Sequence, residues 1–193
     1  MHWMTWMMCG LLAAGLNAAE LLPNGGFEEN ANWRTMGTVK GANPKEAFAY
    51  ESEFAHSGKR SLRVMDKWDF ARTYPCQTVP AVKGAKGYRL TFWARAEKSH
   101  VFRAGIALPA LRPDGSRFNA LWREQEFTAG PEWKQFSMEV ASGENVTGVL
   151  VLFGATGTDR KLTGTVWIDD AELAALDKAP VKKTAAPRPS ARM

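Results

Sequence analysis

The sequence predicts an all-β protein, an antiparallel sandwich or barrel, on three observations. From Leu21 onward, short apolar or alternating runs are separated by Gly, Pro, Asn and Asp. No long run carries the 3.6-residue period of a helix. Strands do not alternate with helical segments as they would in a parallel α/β fold.

The individual runs bear this out in order. SLRVMD, from Ser61 to Asp66, is the first clear strand. YRLTFWARA, from Tyr88 to Ala96, puts Tyr88, Leu90, Phe92 and Ala94 on one face and Arg89, Thr91, Trp93 and Arg95 on the other, because successive strand side chains point to opposite sides. VFRAGIAL (101–108) follows, then Pro113, Asp114 and Gly115, a turn signal in which Pro fixes φ and Gly accepts the positive φ that other residues resist. The segments around Ile106 and Leu121 should therefore pair. LWREQEF shares Trp122, Glu124 and Glu126 on one face, and WKQFSMEV (133–140) is the next strand. TGVLVLF (147–153) is apolar on both faces, as a central, doubly covered strand is. TVWIDDAEL (165–173) closes the sandwich, and KWDFARTYP, holding Trp68 and Tyr74, reads as a loop or strand edge.

Residues 1–19 contain no Lys, Arg, Asp or Glu, and their apolar stretch from Trp6 to Leu16 is too short to span a bilayer. They read as a signal peptide, cleaved after Ala18-Ala19, which places the mature protein in the secreted or periplasmic space. One folded domain, residues 20–177, is then followed by a basic Ala/Pro/Lys tail, residues 178–193, that cannot bury enough apolar surface to order itself. Without Cys9 the mature chain keeps only Cys76 and makes no internal disulfide.

The formal charge of +5 lies in that tail: outside its five basic residues, 20 bases face 20 acids. Phosphate binding scales with clustered cations, and the neutral body offers no cluster, so nucleic acid is not the expected partner. No zinc spacing, phosphate loop, dinucleotide fingerprint or nucleophile elbow is present, and His56 and His100 are the only histidines beyond the leader. Glu124 and Glu126, two apart on a strand, could approach the ~5–5.5 Å separation of a retaining glycosidase, but a short domain supplies no second cleft wall. No catalytic residue is assigned.

Four segments in fixed order carry a family resemblance: LLPNGGFEENANW, SGKRSLRV, YRLTFWARA with the later GPEWKQFSMEV, and VWIDDAEL. Together, over roughly residues 21–174, they resemble the carbohydrate-binding modules of families four, nine and twenty-two, which share the galactose-binding-like jelly roll. The resemblance implies a jelly-roll β-sandwich that binds polysaccharide or oligosaccharide without catalysis. It also implies a structural calcium tying the first segment to the following loop and the last strand, with Glu28, the carbonyls around Gly58, Lys59 and Ser61, and Asp170 or Asp169 as its ligands. Such a set suits a hard cation that takes ~6–8 oxygens.

Sugar recognition needs flat aromatic faces with polar groups around them. Six tryptophans lie beyond the leader: Trp33, Trp68, Trp93, Trp122, Trp133 and Trp167. Alternation makes Trp93 with Arg95, and Trp122 with Glu124, the leading candidates for a binding face. Trp68 and Tyr74 come second, and Trp33, Trp133 and Trp167 are assigned to the core or its ends. The competing reading is the same sandwich used as a structural or protein-docking domain of the cell envelope, with the aromatics buried. An envelope or enzyme partner is compatible with either.

Overall fold

The structure, a computed structural model, describes residues 21–36, 48–66, 74–154 and 164–181. Its ten strands are β1 (Arg34–Met36), β2 (Phe48–Glu51), β3 (Ser61–Asp66), β4 (Tyr74–Pro80), β5 (Gly87–Ala96), β6 (His100–Leu111), β7 (Arg117–Ala129), β8 (Lys134–Ala141), β9 (Gly148–Gly154) and β10 (Gly164–Leu176). They form two five-stranded sheets, ordered β1-β4-β9-β6-β7 and β2-β3-β10-β5-β8, and every pairing is antiparallel. Among the described residues no helix is long and apolar enough to cross a membrane.

The core fills the space between the sheets. From the first sheet come Phe102, Ala104, Ile106 and Leu108 of β6, Phe127 of β7, and Val149, Val151 and Phe153 of β9. The second contributes Leu62 and Val64 of β3, Tyr88, Leu90, Phe92 and Ala94 of β5, Met138 and Val140 of β8, and Val166 and Ile168 of β10. Phe92 sits at the centre, its ring 5.1–6.0 Å from those of Phe153, Phe127, Phe136 and Phe102. Edge-to-face and offset contacts at these separations are the favourable arrangements for aromatic rings.

The strands read from sequence are present. β3 spans Ser61–Asp66, and the alternation of β5 buries Tyr88, Leu90, Phe92 and Ala94. β9 is central to its sheet and buried at all seven positions. β6 and β7 form the hairpin that Pro113-Asp114-Gly115 announces: Gly115 has φ 80°, its N–H donates to the Arg112 carbonyl at 2.8 Å, and Leu108 pairs with Leu121. β10, rather than finishing an edge, runs between β3 and β5. Tyr74 is not in a loop or at a sheet edge, because it opens β4, which pairs with both β1 and β9. Trp68, residues 1–20 and residues 182–193 lie outside the described residues.

Cys76, on β4, is fully buried, and desolvation pushes its thiol above the ordinary value. Since the thiolate is the reactive form, Cys76 of a Cys9→Ser protein should react with a thiol reagent only after unfolding. Labelling of the folded protein at the rate of free cysteine would contradict this packing.

Candidate functional site: the outer face of the first sheet

Fixing the core residues inward fixes their neighbours outward. On the first sheet this turns three ranks of side chains outward, each read straight across the strands, and the middle ones are nonetheless buried: Tyr74 and Leu150 are 7% exposed, and Cys76, Ala107 and Leu152 0%. One rank runs Met36, Tyr74, Gly154, Arg103, Glu126; the next Arg34, Cys76, Leu152, Gly105, Glu124; the third Thr78, Leu150, Ala107, Trp122. The middle is apolar and low. Tyr74, Cys76, Ala107, Leu150 and Leu152 form a small second cluster with Met36 packed against it. Gly154 lies under the Tyr74 ring, where an added Cβ would come within 2.5 Å of Cε1. Small residues at Gly105 and Ala107 thus lie between larger groups on either side.

The β7 side of this floor is aromatic and charged. Trp122 is 45% exposed, a high value for the largest side chain on a sheet face. Its indole Nε1–H donates to Glu124 Oε1 at 3.0 Å. Arg103, opposite on β6, donates to Glu124 Oε2 at 3.3 Å and to Glu126 Oε1 at 2.8 Å. The bond to Glu126 is the main cause that raises the Arg103 pKa. On the far side, exposed Arg34 donates to Thr78 Oγ1 at 3.2 Å. Apolar floor, one exposed aromatic platform and oriented donors and acceptors are the parts a sugar site needs.

Trp122, Glu124 and Tyr74 therefore share one outer face, with Tyr74 three strands away from the other two, while Trp93 and Arg95 are placed on the outer face of the opposite sheet. A binding face shared by Trp93 and Trp122 is corrected by this topology: one lies on β5, the other on β7, and the sandwich stands between them. Trp93 is half-buried, and His56 stacks on one of its ring faces with centroids 3.9 Å apart and planes at 15°. Arg95 lies over the Phe54 ring at 3.9 Å, and Phe54 in turn meets Trp167 edge-on at 4.8 Å. Trp167 is buried, as a core residue would be, but under this loop on the outer face and not between the sheets. Trp33 is a core residue, set between Phe27 and Phe153, and Trp133 is half-buried beside His56. Sequence reading missed Arg103 and the floor residues Leu150 and Leu152, whose role depends on which strands lie side by side.

The same covering loop meets the carboxylates expected to hold calcium. Glu28 Oε1 accepts the N–H groups of Lys59 and Arg60 at 2.8 and 3.2 Å. Asp169 Oδ2 accepts those of His56 and Ser57, and burial still pushes its pKa up to about 6 against three such bonds. Asp170, at a register shift in β10 and with φ 46°, takes Ser57 Oγ on Oδ1 and His56 Nδ1 on Oδ2, each at 2.6 Å. Ser57 and Gly58 are adjacent and lie against Asp170 and Glu28 respectively, so the loop links the first segment to the last strand. Carboxylate oxygens suit a hard cation, while the loop turns N–H and O–H donors toward these three carboxylates. Among the described residues no group of three or more His, Cys, Asp or Glu gathers, so carbonyls would complete the shell; Lys59 presents its N–H, not its carbonyl, to Glu28.

Comparison with solved structures finds the same architecture. The enzymatically active domain of tailspike protein 4 of bacteriophage CBA120 is similar with a TM-score of 0.59 at 15% identity, over 81% of this chain and 21% of the tailspike chain. This chain thus corresponds to about a fifth of that protein's length. A family 61 carbohydrate-binding module in complex with β-1,4-galactotriose is similar with a TM-score of 0.53 at 22% identity, covering 81% of this chain and 98% of the module. The first family 22 xylan-binding domain of a Paenibacillus barcinonensis protein gives 0.51 at 16% identity, over 80% and 93%. At these identities the likeness is one of fold. A search of curated proteins returned no match. The family described as "Carbohydrate binding domain" matches residues 19–159, most of the chain. With its paired five-stranded sheets and a match over most of its length, the chain belongs to this family of carbohydrate-binding modules.

Proposed function

We propose that the protein is an exported module that binds a poly- or oligosaccharide along the outer face of the first sheet, with Trp122 as the stacking platform and only the rim of the buried Tyr74, 7% exposed, at the opposite end. The observation that carries this reading is the exposure of Trp122 beside oriented Glu124 and Arg103, above a floor of Ala107, Gly105, Leu150 and Leu152. An exposed indole with oriented polar groups beside it offers a sugar ring a flat apolar surface and partners for its hydroxyls. Trp93, one ring face of which is covered by His56, serves the fold.

The distance between the two aromatics favours a chain over a single sugar. Tyr74 and Trp122 are three strands and two ranks apart. At ~4.8 Å per strand and ~3.3 Å per residue their backbones are separated by about 19 Å along the diagonal. A ligand that touches both must span several sugar units. The family 61 and family 22 relatives are described with β-1,4-galactotriose and as xylan-binding, which makes neutral β-linked chains the first ligands to try here. The uncharged leader, residues 1–19, supports export, since glycan polymers of this kind lie outside the cell.

Calcium belongs to the same proposal. Glu28 and Asp170, with carbonyls of the 57–61 loop including that of Lys59, would hold it, and the ion would supply positive charge between carboxylates of the first segment and the last strand. The role of these residues is to fasten the loop that covers Trp93 and Trp167, on the opposite side of the sandwich from the sugar face.

Affinity electrophoresis through gels containing β-glucan, xylan, galactan or mannan tests the binding face. Trp122→Ala should weaken retention by at least tenfold in Kd, about 1.4 kcal/mol, while longer oligosaccharides bind more tightly than disaccharides. Trp93→Ala should cost stability, on the order of 3 kcal/mol for a large aromatic lost from packing, yet leave retention by the folded fraction intact. Retention that survives Trp122→Ala and disappears in folded Trp93→Ala protein would move the site to the other sheet. No retention across the panel would favour a structural or docking role. For the metal, chelation should lower the melting temperature and added calcium restore it; an unchanged transition in protein shown by elemental analysis to have lost its calcium would remove the site.

A further inference from the structure

The sugar face contains a feature that goes beyond the placement of an aromatic platform: the platform is held. Trp122 and Glu124 are two apart on β7 and point the same way, which brings the Glu124 carboxylate alongside the indole edge. Oε1 accepts the indole N–H at 3.0 Å. The other oxygen, Oε2, accepts from Arg103 at 3.3 Å, and Arg103 is in turn pinned by Glu126 at 2.8 Å. Every link is cross-strand or same-face: Arg103 opposes Glu126, and Gly105 opposes Glu124. Gly105 matters because a Cβ there would approach Glu124 Cγ to 3.1 Å and Leu152 Cδ1 to 3.0 Å. The missing side chain leaves the lane through which the glutamate and the guanidinium meet.

We propose that Glu124 is a positioning residue: it fixes the plane of the Trp122 indole through Nε1, braced by Arg103, so that the stacking surface is set before a glycan arrives. The inference rests on the sugar-face reading above. An exposed tryptophan without such a bond is free to turn about its side-chain torsions and must be ordered on binding. Holding it in place beforehand raises affinity with no added contact to the ligand. Both carboxylate oxygens are already committed to Trp122 and Arg103, which separates this role from that of a hydroxyl acceptor.

The test uses the protein with its Trp122 indole signal assigned in a 15N–1H spectrum by its loss in Trp122→Phe. Glu124→Ala should shift that signal and speed exchange of the indole proton at least tenfold. It should also weaken binding of β-1,4-galactotriose and xylohexaose, used as probes, by about tenfold. Glu124→Gln keeps a carbonyl oxygen for the indole while Arg103 keeps Glu126, so it should recover the signal and most of the affinity. An indole signal and exchange rate unchanged in Glu124→Ala would overturn the proposal, as would equal loss of affinity in the Ala and Gln variants, which would make the carboxylate a direct ligand contact. If neither probe binds the unaltered protein, the sugar-face reading is what fails for these ligands, and the indole measurement still decides whether Glu124 holds the ring.

Discussion

The packing of Phe92 against four other phenylalanines is the constraint on which the rest of the structure depends. Those four rings come from four different strands: Phe102 on β6, Phe127 on β7, Phe136 on β8 and Phe153 on β9. Strand side chains alternate with a period of two, so a one-residue slip in any of these strands would move its whole apolar set out of the core. Pointing these phenylalanines inward therefore dictates that Arg103, Gly105 and Ala107 face outward on β6, Trp122, Glu124 and Glu126 on β7, and Leu150 and Leu152 on β9. The proposed binding face follows from the core by alternation. Burying a phenylalanine stabilises by ~1.5–3 kcal/mol, and five together hold the register more firmly than any polar contact on the surface.

The two outer faces of the sandwich illustrate how similar composition yields different outcomes. Each carries tryptophan, arginine and glutamate. On the second sheet the 54–57 loop folds back across the strands: Phe54 caps Arg95 and Trp167, and His56 caps Trp93. The loop is fastened by Asp169 and Asp170 at one end and by Glu28 near the other. Three buried donor atoms on that face, Arg63 Nε, Arg95 Nε and Trp167 Nε1, lack a partner among the described residues, a cost that bound water commonly relieves. On the first sheet Trp122 stays exposed. The aromatic content of a strand thus says little about binding until it is known which loop lies over it.

Much of the fold was legible because the alternation is strong. SLRVMD, YRLTFWARA and TGVLVLF each have a pattern that a single strand determines by itself, and the Pro113-Asp114-Gly115 turn joins β6 to the strand it pairs with. The family resemblance added the jelly-roll arrangement, and the family match agrees with it. What remained hidden was non-local. β1 and β2 are three and four residues long, too short for periodicity to register. β4 begins at Tyr74 beside Pro75, and proline argues against a paired strand, although Tyr74 proves to have neighbours on both sides. The sequence shows that Trp93 and Trp122 both alternate away from core residues; it does not show that the two strands belong to opposite sheets. Arg103 was overlooked for the same reason, since its partners Glu124 and Glu126 lie across a hairpin whose register a single strand does not reveal.

The central claim is that the outer face of the β1-β4-β9-β6-β7 sheet, and not its counterpart, receives the glycan. Backbone chemical-shift mapping of the 15N-labelled protein during titration with the oligosaccharide it retains in gels tests this most directly. The account predicts perturbations concentrated at Trp122, Glu124, Arg103, Gly105, Leu152 and Tyr74, with the signals of Trp93, Arg95 and His56 unmoved. Perturbations centred on Trp93, Arg95 and the His56 loop, with the β6–β7 face silent, would contradict it.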